Sequence, residues 1–295
     1  MKRTDIRQMI RPRGKLVLVA VVLVFGLLAG GIGSSADGAL IGHWEIEAGS
    51  GASVDDVSTT DNDGSFVNSP TWVVSGFAPV PSGTTAALEF DGETASEGNE
   101  DYVSVPANSV YDFGASLDFS VAAWFKTSAA AGQNIVGQGD AGGDAGGEHW
   151  ELTIRDDGTF VAFIDDGSNT QLIGGGGPSF NDGKWHHVAV TFDRDGDAIR
   201  YIDGVALPTT DDISHVGDIS NDEILAIGQR GNVSGKPFDS PFQGQIDEVR
   251  LYDHVLSPEE VRALTPEPGF AALSLSALLL LLARREGNHG ARHWD

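Results

Sequence analysis

The sequence has no cysteine and few basic residues. Among its 295 residues, 18 Lys and Arg stand against 43 Asp and Glu, which gives a formal net charge of −25 at pH 7. Without Cys, the chain has no disulfides, no thiolate metal site and no thiol nucleophile. The shortage of positive charge excludes nucleic acid as a partner, because binding to phosphates needs clustered Lys and Arg. A hydrophobic content of 40% still provides for a buried core and excludes disorder of the whole chain.

The few basic residues divide the chain into three parts. Residues 1–36 hold six of the 18 Lys and Arg, residues 266–295 hold three, and the middle, 37–265, keeps nine against 39 acidic residues. In the first part, a basic stretch precedes an apolar run, and small residues follow up to Ala36. This order predicts a secretory signal peptide at 1–36. The alternative is an uncleaved membrane anchor, although the apolar run is shorter than the ~20 residues that a spanning helix needs.

The last part, 266–295, has an ordered pattern of its own. It begins with Pro266, Glu267 and Pro268, continues with an apolar stretch at 269–283, and then carries Arg284 and Arg285. This order resembles the PEP-CTERM sorting signal. The resemblance implies a Gram-negative-type bacterium, recognition by an exosortase-type sorting enzyme, and a membrane segment before processing. It also implies a final location at the cell surface, outer membrane or extracellular matrix. A plain tail anchor is the alternative.

The middle of the chain consists of short alternating runs separated by turn residues. In the run at 149–154, one face carries Trp150, Leu152 and Ile154. The other face carries His149, Glu151 and Thr153. Asp203-Gly204 lies between two such runs and predicts a tight hairpin. Strands at regular spacing without intervening helices predict an all-β fold, a two-sheet antiparallel jelly-roll sandwich over 37–265. We expect hydrophobic helices to flank this domain at both ends.

One short helix is predicted at 257–264. Ser257 can cap its first turn, Pro258 suits the first helical position, and Glu259 and Glu260 favour the positive end of the helix dipole.

Motifs in a fixed order carry a family resemblance. They are Gly42-His43-Trp44, an Asp-rich loop at 55–64, Leu88-Glu89-Phe90-Asp91-Gly92, Tyr102-Val103-Ser104-Val105-Pro106, the run at 182–193, Tyr201-Ile202-Asp203-Gly204, the run at 242–252 and Leu256-Ser257-Pro258-Glu259-Glu260-Val261. Together they resemble the LamG-like jelly roll of the concanavalin A-like lectin/glucanase superfamily. The resemblance implies the fold directly and the function only broadly, because this fold serves many tasks.

The resemblance also implies a structural Ca²⁺ between the early loop and the last long strand. The candidate ligands are Asp56, Asp63 and Asp247, with Asp91 as a further one; calcium prefers several such oxygen ligands. The alternative is that the loop aspartates bond to their own backbone in Asx turns. Asp247 is harder to explain in that way, because an acid on a central strand needs a partner.

The residues offer little support for catalysis. Glycoside hydrolysis needs two carboxylates ~5–9.5 Å apart, but Glu148 and Glu151 are three residues apart on a strand and point to opposite faces. The adjacent His186 and His187 cannot chelate one metal for the same reason, so we assign them packing and hydrogen-bonding roles. The loop beginning at Asp193 starts like an EF-hand but lacks its Gly and its final Glu.

The ligand-binding residues cannot be selected from the sequence. Trp72, Tyr111 and Trp150 are candidate sugar platforms if they are exposed, whereas Trp124 and Trp185 lie in alternating runs and are expected in the core. The sequence thus predicts an exported, non-catalytic cell-surface or extracellular-matrix protein that binds carbohydrate or another extracellular polymer. The alternatives are a glycan-active hydrolase or lyase and a purely structural biofilm component.

Overall fold

Two antiparallel β-sheets dominate the part of the chain that the structure describes. This computed structural model describes residues 38–75, 78–80, 83–92, 100–139, 147–230 and 240–266. These residues form sixteen strands, one 3-10 helix and one short α-helix. The all-β, two-sheet antiparallel prediction is therefore confirmed. The predicted signal peptide and the sorting residues Glu267, Pro268, Arg284 and Arg285 lie outside the described residues.

Sheet A has its strands in the order β14-β13-β12-β7-β16-β5-β4, and β1 also pairs with β16. Its strands are β1 (Leu40–Trp44), β4 (Thr71–Val73), β5 (Ala87–Asp91), β7 (Phe119–Lys126), β12 (Trp185–Phe192), β13 (Asp197–Ile202), β14 (Val205–Asp212) and β16 (Gln243–Tyr252).

Sheet B has the order β11-β10-β9-β8-β15-β6-β3-β2. Its strands are β2 (Ser53–Val54), β3 (Gly64–Val67), β6 (Tyr102–Val105), β8 (Gln133–Gly139), β9 (Glu148–Ile154), β10 (Phe160–Asp166), β11 (Thr170–Ile173) and β15 (Leu225–Ile227). The 3-10 helix, Ser109–Tyr111, follows β6.

The inner faces of both sheets form one apolar core. In β9, Trp150, Leu152 and Ile154 share one face, as the sequence predicts, and this face points into the core. At its centre, the Phe119 ring stacks between Phe113, at 4.0 Å, and Phe192, at 4.2 Å. Burying large side chains in this way contributes about 1.5–3 kcal/mol each.

The outer face of sheet A is largely covered by the chain itself. Helix α1 (Pro258–Ala263) confirms the predicted helix, and Ser257 and Glu260 form a capping box at its start. Leu256 and Val261 pack on a second apolar cluster that contains Ala122 and Tyr201 of the sheet. No helix in the described ranges is long and apolar enough to span a membrane.

The predicted turns form as tight hairpins. Asp203 and Gly204 join β13 to β14 with positive φ angles of 50° and 77°, as a type I′ turn requires. The loop at Asp193 closes the hairpin between β12 and β13, where the amide of Gly196 donates to the carbonyl oxygen of Asp193 at 3.0 Å.

Candidate functional site

The outer face of sheet B carries a row of side chains from three neighbouring strands. The antiparallel register places Glu151 of β9 opposite Phe163 of β10, and Phe163 opposite Leu172 of β11. Phe163 and Leu172 are half-buried, whereas Glu151 is only 1% exposed. A carboxylate and two apolar side chains thus lie side by side on the solvent side of the sheet.

Glu151 is held by an ion pair and a chain of hydrogen bonds. Its Oε1 accepts a hydrogen bond from Nη2 of Arg230 at 3.0 Å, and its Oε2 accepts from Nε of Arg230 at 2.5 Å. Nδ2 of Asn134 also donates to Oε2, at 2.9 Å, and Oγ1 of Thr153 donates to Oδ1 of Asn134 at 2.8 Å. This two-pronged pairing fixes the guanidinium in one orientation.

A glycine makes room for this carboxylate. Gly137 of β8 pairs with Glu151, and a Cβ atom at Gly137 would lie 3.1 Å from Cβ of Glu151. Any larger residue would therefore push against the Glu151 side chain.

These residues line a cavity of about 520 Å³, which we call the Glu151–Arg230 cavity. Phe163 and Leu172 provide its apolar wall, and Asn134, Thr153 and Arg230 provide donors and acceptors. Binding sites for small molecules combine a mostly apolar concavity with a few fixed polar groups, and their volumes are typically ~300–1,000 Å³. The cavity has this composition and this size.

The acids around this cavity are poorly arranged for hydrolysis. Both oxygens of Glu151 are engaged by Arg230, while Glu148 is exposed at the start of the strand. Asp156, the other acid that lines the cavity, is exposed in the β9–β10 turn. A glycosidase needs one carboxyl group that is protonated and another that is free to attack or to activate water.

The predicted calcium ligands Asp56 and Asp63 form a hydrogen-bonded loop. Oδ1 of Asp56 accepts from the backbone amides of His43 and Ser58, both at 2.9 Å, and its Oδ2 accepts from the amide of Asn62 at 3.0 Å. Asp63 accepts from the amide of Asp56 at 2.8 Å. Each Asp56 oxygen therefore already has a backbone partner, which is the Asx-turn arrangement.

Asp247 has different surroundings. It is 0% exposed, its Oδ1 has no hydrogen-bond partner among the described residues, and its Oδ2 accepts from Oγ1 of Thr84 at 3.2 Å. Burial, with the nearby charges of Glu248 and Glu47, raises the pKa of Asp247 to about 8. The same Thr84 hydroxyl also contacts a carboxylate oxygen of Glu47 and, at 2.9 Å, the carbonyl oxygen of Ala86. One hydroxyl proton is thus shared among three acceptor oxygens.

The four predicted calcium ligands do not converge on one point. Asp91 is exposed and lines a separate polar cavity of about 530 Å³ with Lys126 and Gln243. Within the described ranges, no group of three or more His, Asp and Glu side chains is arranged to hold a metal ion.

Two of the three candidate sugar platforms do not meet the condition of exposure, because they are core residues. Trp150 is 1% exposed and Tyr111 is 2% exposed, since both side chains point between the sheets. Trp72 is half-buried, contacts Phe66 and donates to the carbonyl oxygen of Gly51 at 2.9 Å. Trp124 is buried, as expected, but in an apolar cluster separate from the main core, and Trp185 is only half-buried against that cluster.

His186 has the predicted hydrogen-bonding role, whereas the His187 ring has a packing role only. Nδ1 of His186 contacts a carboxylate oxygen of Asp203 at 2.9 Å, and this contact is the main cause of the raised pKa of His186. His187 is fully buried against Trp124, and this burial lowers its pKa to about 3.

Sequence reasoning missed Arg230 and Glu47, which lie far along the chain from their partners. Glu151 is 79 residues from Arg230, and Glu47 is 37 residues from Thr84. The outward position of Glu151 on a strand was the one signal that could have led to the first pair.

Comparisons with known proteins agree with this architecture. The Laminin_G_3 family model, described as concanavalin A-like lectin/glucanases superfamily, matches residues 97–262. Neuronal pentraxin-1 of Rattus norvegicus is 29% identical over 154 residues, which cover 48% of this chain and 32% of that protein. The chain spans about a third or less of the curated relatives it matches.

Two solved structures share the fold. The binding domain of Paraclostridial Mosquitocidal Protein 1 superposes with a TM-score of 0.56 at 16% identity, covering 77% of this chain and 51% of that one. Domain 4 of AbnA, an extracellular arabinanase of Geobacillus stearothermophilus solved in complex with arabinotriose, has a TM-score of 0.54 at 18% identity. That match covers 78% of this chain and 99% of the domain.

The first of these two structures is a binding domain, the second was solved with arabinotriose, and the family model covers more than half of the chain. The protein belongs to the Laminin_G_3 family of the concanavalin A-like lectin/glucanase superfamily.

Proposed function

We propose that this protein is a non-catalytic carbohydrate-binding protein whose ligand occupies the Glu151–Arg230 cavity. The observation that carries this proposal is the cavity itself: a half-buried aromatic ring beside a fixed charged pair, on the open face of sheet B. A sugar offers C–H groups to the Phe163 ring and hydroxyl groups to Arg230 and Thr153. The binding of arabinotriose by a domain of the same fold supports this class of ligand.

The proposal is tested by glycan binding to the wild type and two matched variants. A glycan array identifies the ligand, and calorimetry with that ligand and with arabinotriose measures its affinity. We expect Phe163→Ala to weaken binding about tenfold or more, because it removes the aromatic wall. Leu117→Ala removes an exposed apolar side chain elsewhere, 58% exposed, and should leave the affinity unchanged. Equal affinity of both variants would contradict the proposed site.

Catalysis is not part of the proposal, because Glu151 is occupied by its ion pair. We expect no release of reducing sugar from any polysaccharide that the protein binds. A measurable turnover that disappears in Glu151→Gln would support the hydrolase or lyase alternative instead.

For calcium, we propose a structural site at Asp247 and Glu47, with Thr84 and the carbonyl oxygen of Ala86 as further oxygen ligands. The unpartnered Oδ1 of buried Asp247 fits this role, since a cation would supply its missing partner. Calcium should raise the melting temperature of the wild type relative to chelator. Glu47→Gln should reduce that increment, whereas Asp63→Asn in the hydrogen-bonded loop should retain it.

We also propose that the chain is exported and sorted to the cell surface or extracellular matrix. This rests on the sequence of residues 1–36 and 266–295 alone. Mass spectrometry of the mature protein should find an N-terminus at Asp37 and processing near Pro266.

A further inference from the structure

A second cavity lies on the opposite side of the sandwich, on the outer face of sheet A. Trp124 of β7 pairs with His187 of β12, and Trp185 lies two residues before His187, so both indoles are on the same face. Ala78 and Val80 cover part of this face and pack on Trp124. Between this cover and the end of helix α1 remains a cavity of about 240 Å³, the Trp124–Trp185 cavity.

Among the described residues, the indole nitrogen of Trp124 is a buried donor without an acceptor. Trp124 is 3% exposed, and its Nε1 has no hydrogen-bond partner in the described part of the chain. Three other tryptophans do have acceptors: Trp44, Trp72 and Trp150 donate to protein oxygens at 3.1, 2.9 and 3.3 Å. A buried donor left unpaired is costly, so it requires an explanation such as a bound ligand or water.

Charged and polar groups surround the same cavity. Asp203, Arg262 and Thr265 line it together with the two indoles. Burial acts to raise the pKa of Asp203, but hydrogen bonds from His186 and from the backbone amide of His187 outweigh burial and lower it. The Asp203 carboxylate is thus held ionised and in place, with its side chain 49% exposed.

We infer that the Trp124–Trp185 cavity is a second carbohydrate site, which accepts one sugar ring. The half-buried Trp185 indole offers an apolar face to the C–H groups of the ring, while Asp203 accepts from hydroxyl groups and Arg262 donates to them. A ring or hydroxyl oxygen of the sugar accepts from Nε1 of Trp124. The volume is below the ~300–1,000 Å³ typical of drug-sized ligands, so the site fits a single ring and not a longer chain.

This inference shares the ligand class of the proposed function but uses different residues on the other sheet. The two sites together would allow one domain to hold a glycan in the Glu151–Arg230 cavity and a single sugar ring of another glycan on the opposite face. Binding at two independent sites raises avidity and cross-links polymers.

The test uses the indole N–H resonances of the ¹⁵N-labelled full-length protein. The probes are the methyl glycosides of glucose, galactose, mannose, N-acetylglucosamine and glucuronic acid. We expect at least one of them to shift the Trp124 resonance, identified with Trp124→Phe, while the resonances of Trp44 and Trp150 stay in place. If none of the five glycosides moves the Trp124 resonance, the inference is overturned.

Variants then locate the binding. Trp185→Leu should raise the dissociation constant at least about tenfold, and Arg262→Ala, at an exposed position that does not threaten folding, about threefold or more. Arg155→Ala removes an exposed arginine of the β9–β10 turn, on the side of the Glu151–Arg230 cavity, and should leave the Trp124 shift unchanged. A shift that persists unchanged in Arg262→Ala and Trp185→Leu overturns the inference.

Arg230→Gln separates this site from the proposed function. If the Trp124 shift survives in Arg230→Gln, the second site stands whether or not the first cavity binds glycan. If Arg230→Gln abolishes the shift, the Trp124 response is a remote effect of the first cavity, and the inference fails while the proposed function stands.

Discussion

The two outer faces of the sandwich differ in how far the described chain covers them. Sheet A is covered by the chain's own segments, in which Leu256 and Val261 of the α1 region fill the space above Ala122. The described residues leave sheet B open, with a buried carboxylate paired to an arginine beside half-buried Phe163. This difference indicates two places for ligands. One is the Glu151–Arg230 cavity on sheet B, and the other is the Trp124–Trp185 cavity, where the segment that covers sheet A ends.

The largest expected difference between the two faces is in the stability lost when one leucine is removed from each. Leu256 is 3% exposed in the cover of sheet A, whereas Leu172 is half-buried in the cavity of sheet B. We expect Leu256→Ala to lower the free energy of unfolding by about 3 kcal/mol, and Leu172→Ala by less than about 1 kcal/mol. Urea denaturation of both variants measures the contrast, and equal losses would contradict it.

The next largest effect concerns the pH dependence that Asp247 gives to sheet A. The folded state keeps the Asp247 proton up to a pKa of about 8, whereas an unfolded chain releases it near 4. Raising the pH between these values therefore favours unfolding, and the full loss is present above pH 8. We expect a decrease of about 2–3 kcal/mol between pH 5 and pH 8 in chelator.

Asp247→Asn is the control for this pH effect, since the amide does not titrate. In this variant, the free energy of unfolding should lack the part of its pH dependence that Asp247 causes. The variant should therefore be more stable than the wild type at pH 8 in chelator. Calcium should restore stability to the wild type alone, because a cation needs the ionised carboxylate. An equal slope in the wild type and Asp247→Asn would rule out Asp247 as its origin.

The ion pair of sheet B predicts an asymmetry between its two partners. The Glu151 side chain is 2% exposed and that of Arg230 is 26% exposed. Arg230→Gln leaves a buried carboxylate without its cation and should destabilise by about 2 kcal/mol, whereas Glu151→Gln leaves an arginine that can reach water and should cost about 1 kcal/mol. Thermal or urea unfolding measures the loss of stability in each variant. A larger loss in Glu151→Gln than in Arg230→Gln would contradict the prediction.

How far the sequence could predict this molecule depends on the separation of the interacting residues. The Asp203-Gly204 turn and the capped helix at Ser257 follow from neighbouring residues, so local pattern was sufficient for both. The alternation in β9 correctly separated Trp150 from Glu151. It could not show which of the two faces is the inner one, and for that reason Trp150 remained a candidate sugar platform.

The candidate site depends on information that the sequence does not contain. Phe163 lies beside Glu151 only because of the register between β9 and β10, and Leu172 only because of the register between β10 and β11. Arg230 reaches Glu151 from another part of the chain. In the expected calcium loop, backbone amides of the same loop and of His43 already bind the Asp56 oxygens, a contact that the loop's composition alone does not show.

The smallest predicted effect concerns helix α1, which covers part of sheet A. It tests whether this segment is held mainly by the capping box of the helix or by the packing of its apolar side chains. Oγ of Ser257 accepts from the amide of Glu260 at 3.3 Å, and the Glu260 carboxylate accepts from the amide of Ser257 at 2.7 Å. Ser257→Ala removes one half of this capping box and should cost about 1 kcal/mol. Ser257→Asp keeps a capping oxygen and is the matched control, expected to stay within about 0.5 kcal/mol of the wild type.

A six-residue helix is too short to be stable by itself, so its formation depends on the packing of Leu256 and Val261. Loss of the capping box should therefore make helix α1 open more often, while Leu256 and Val261 stay packed on sheet A. Amide exchange should become faster at Val261 and Leu264 in Ser257→Ala, while exchange in β9 and β10 of sheet B stays unchanged. If exchange in sheet B rose equally, the two faces would unfold as one unit, and the distinction between a covered face and an open one would have no energetic meaning.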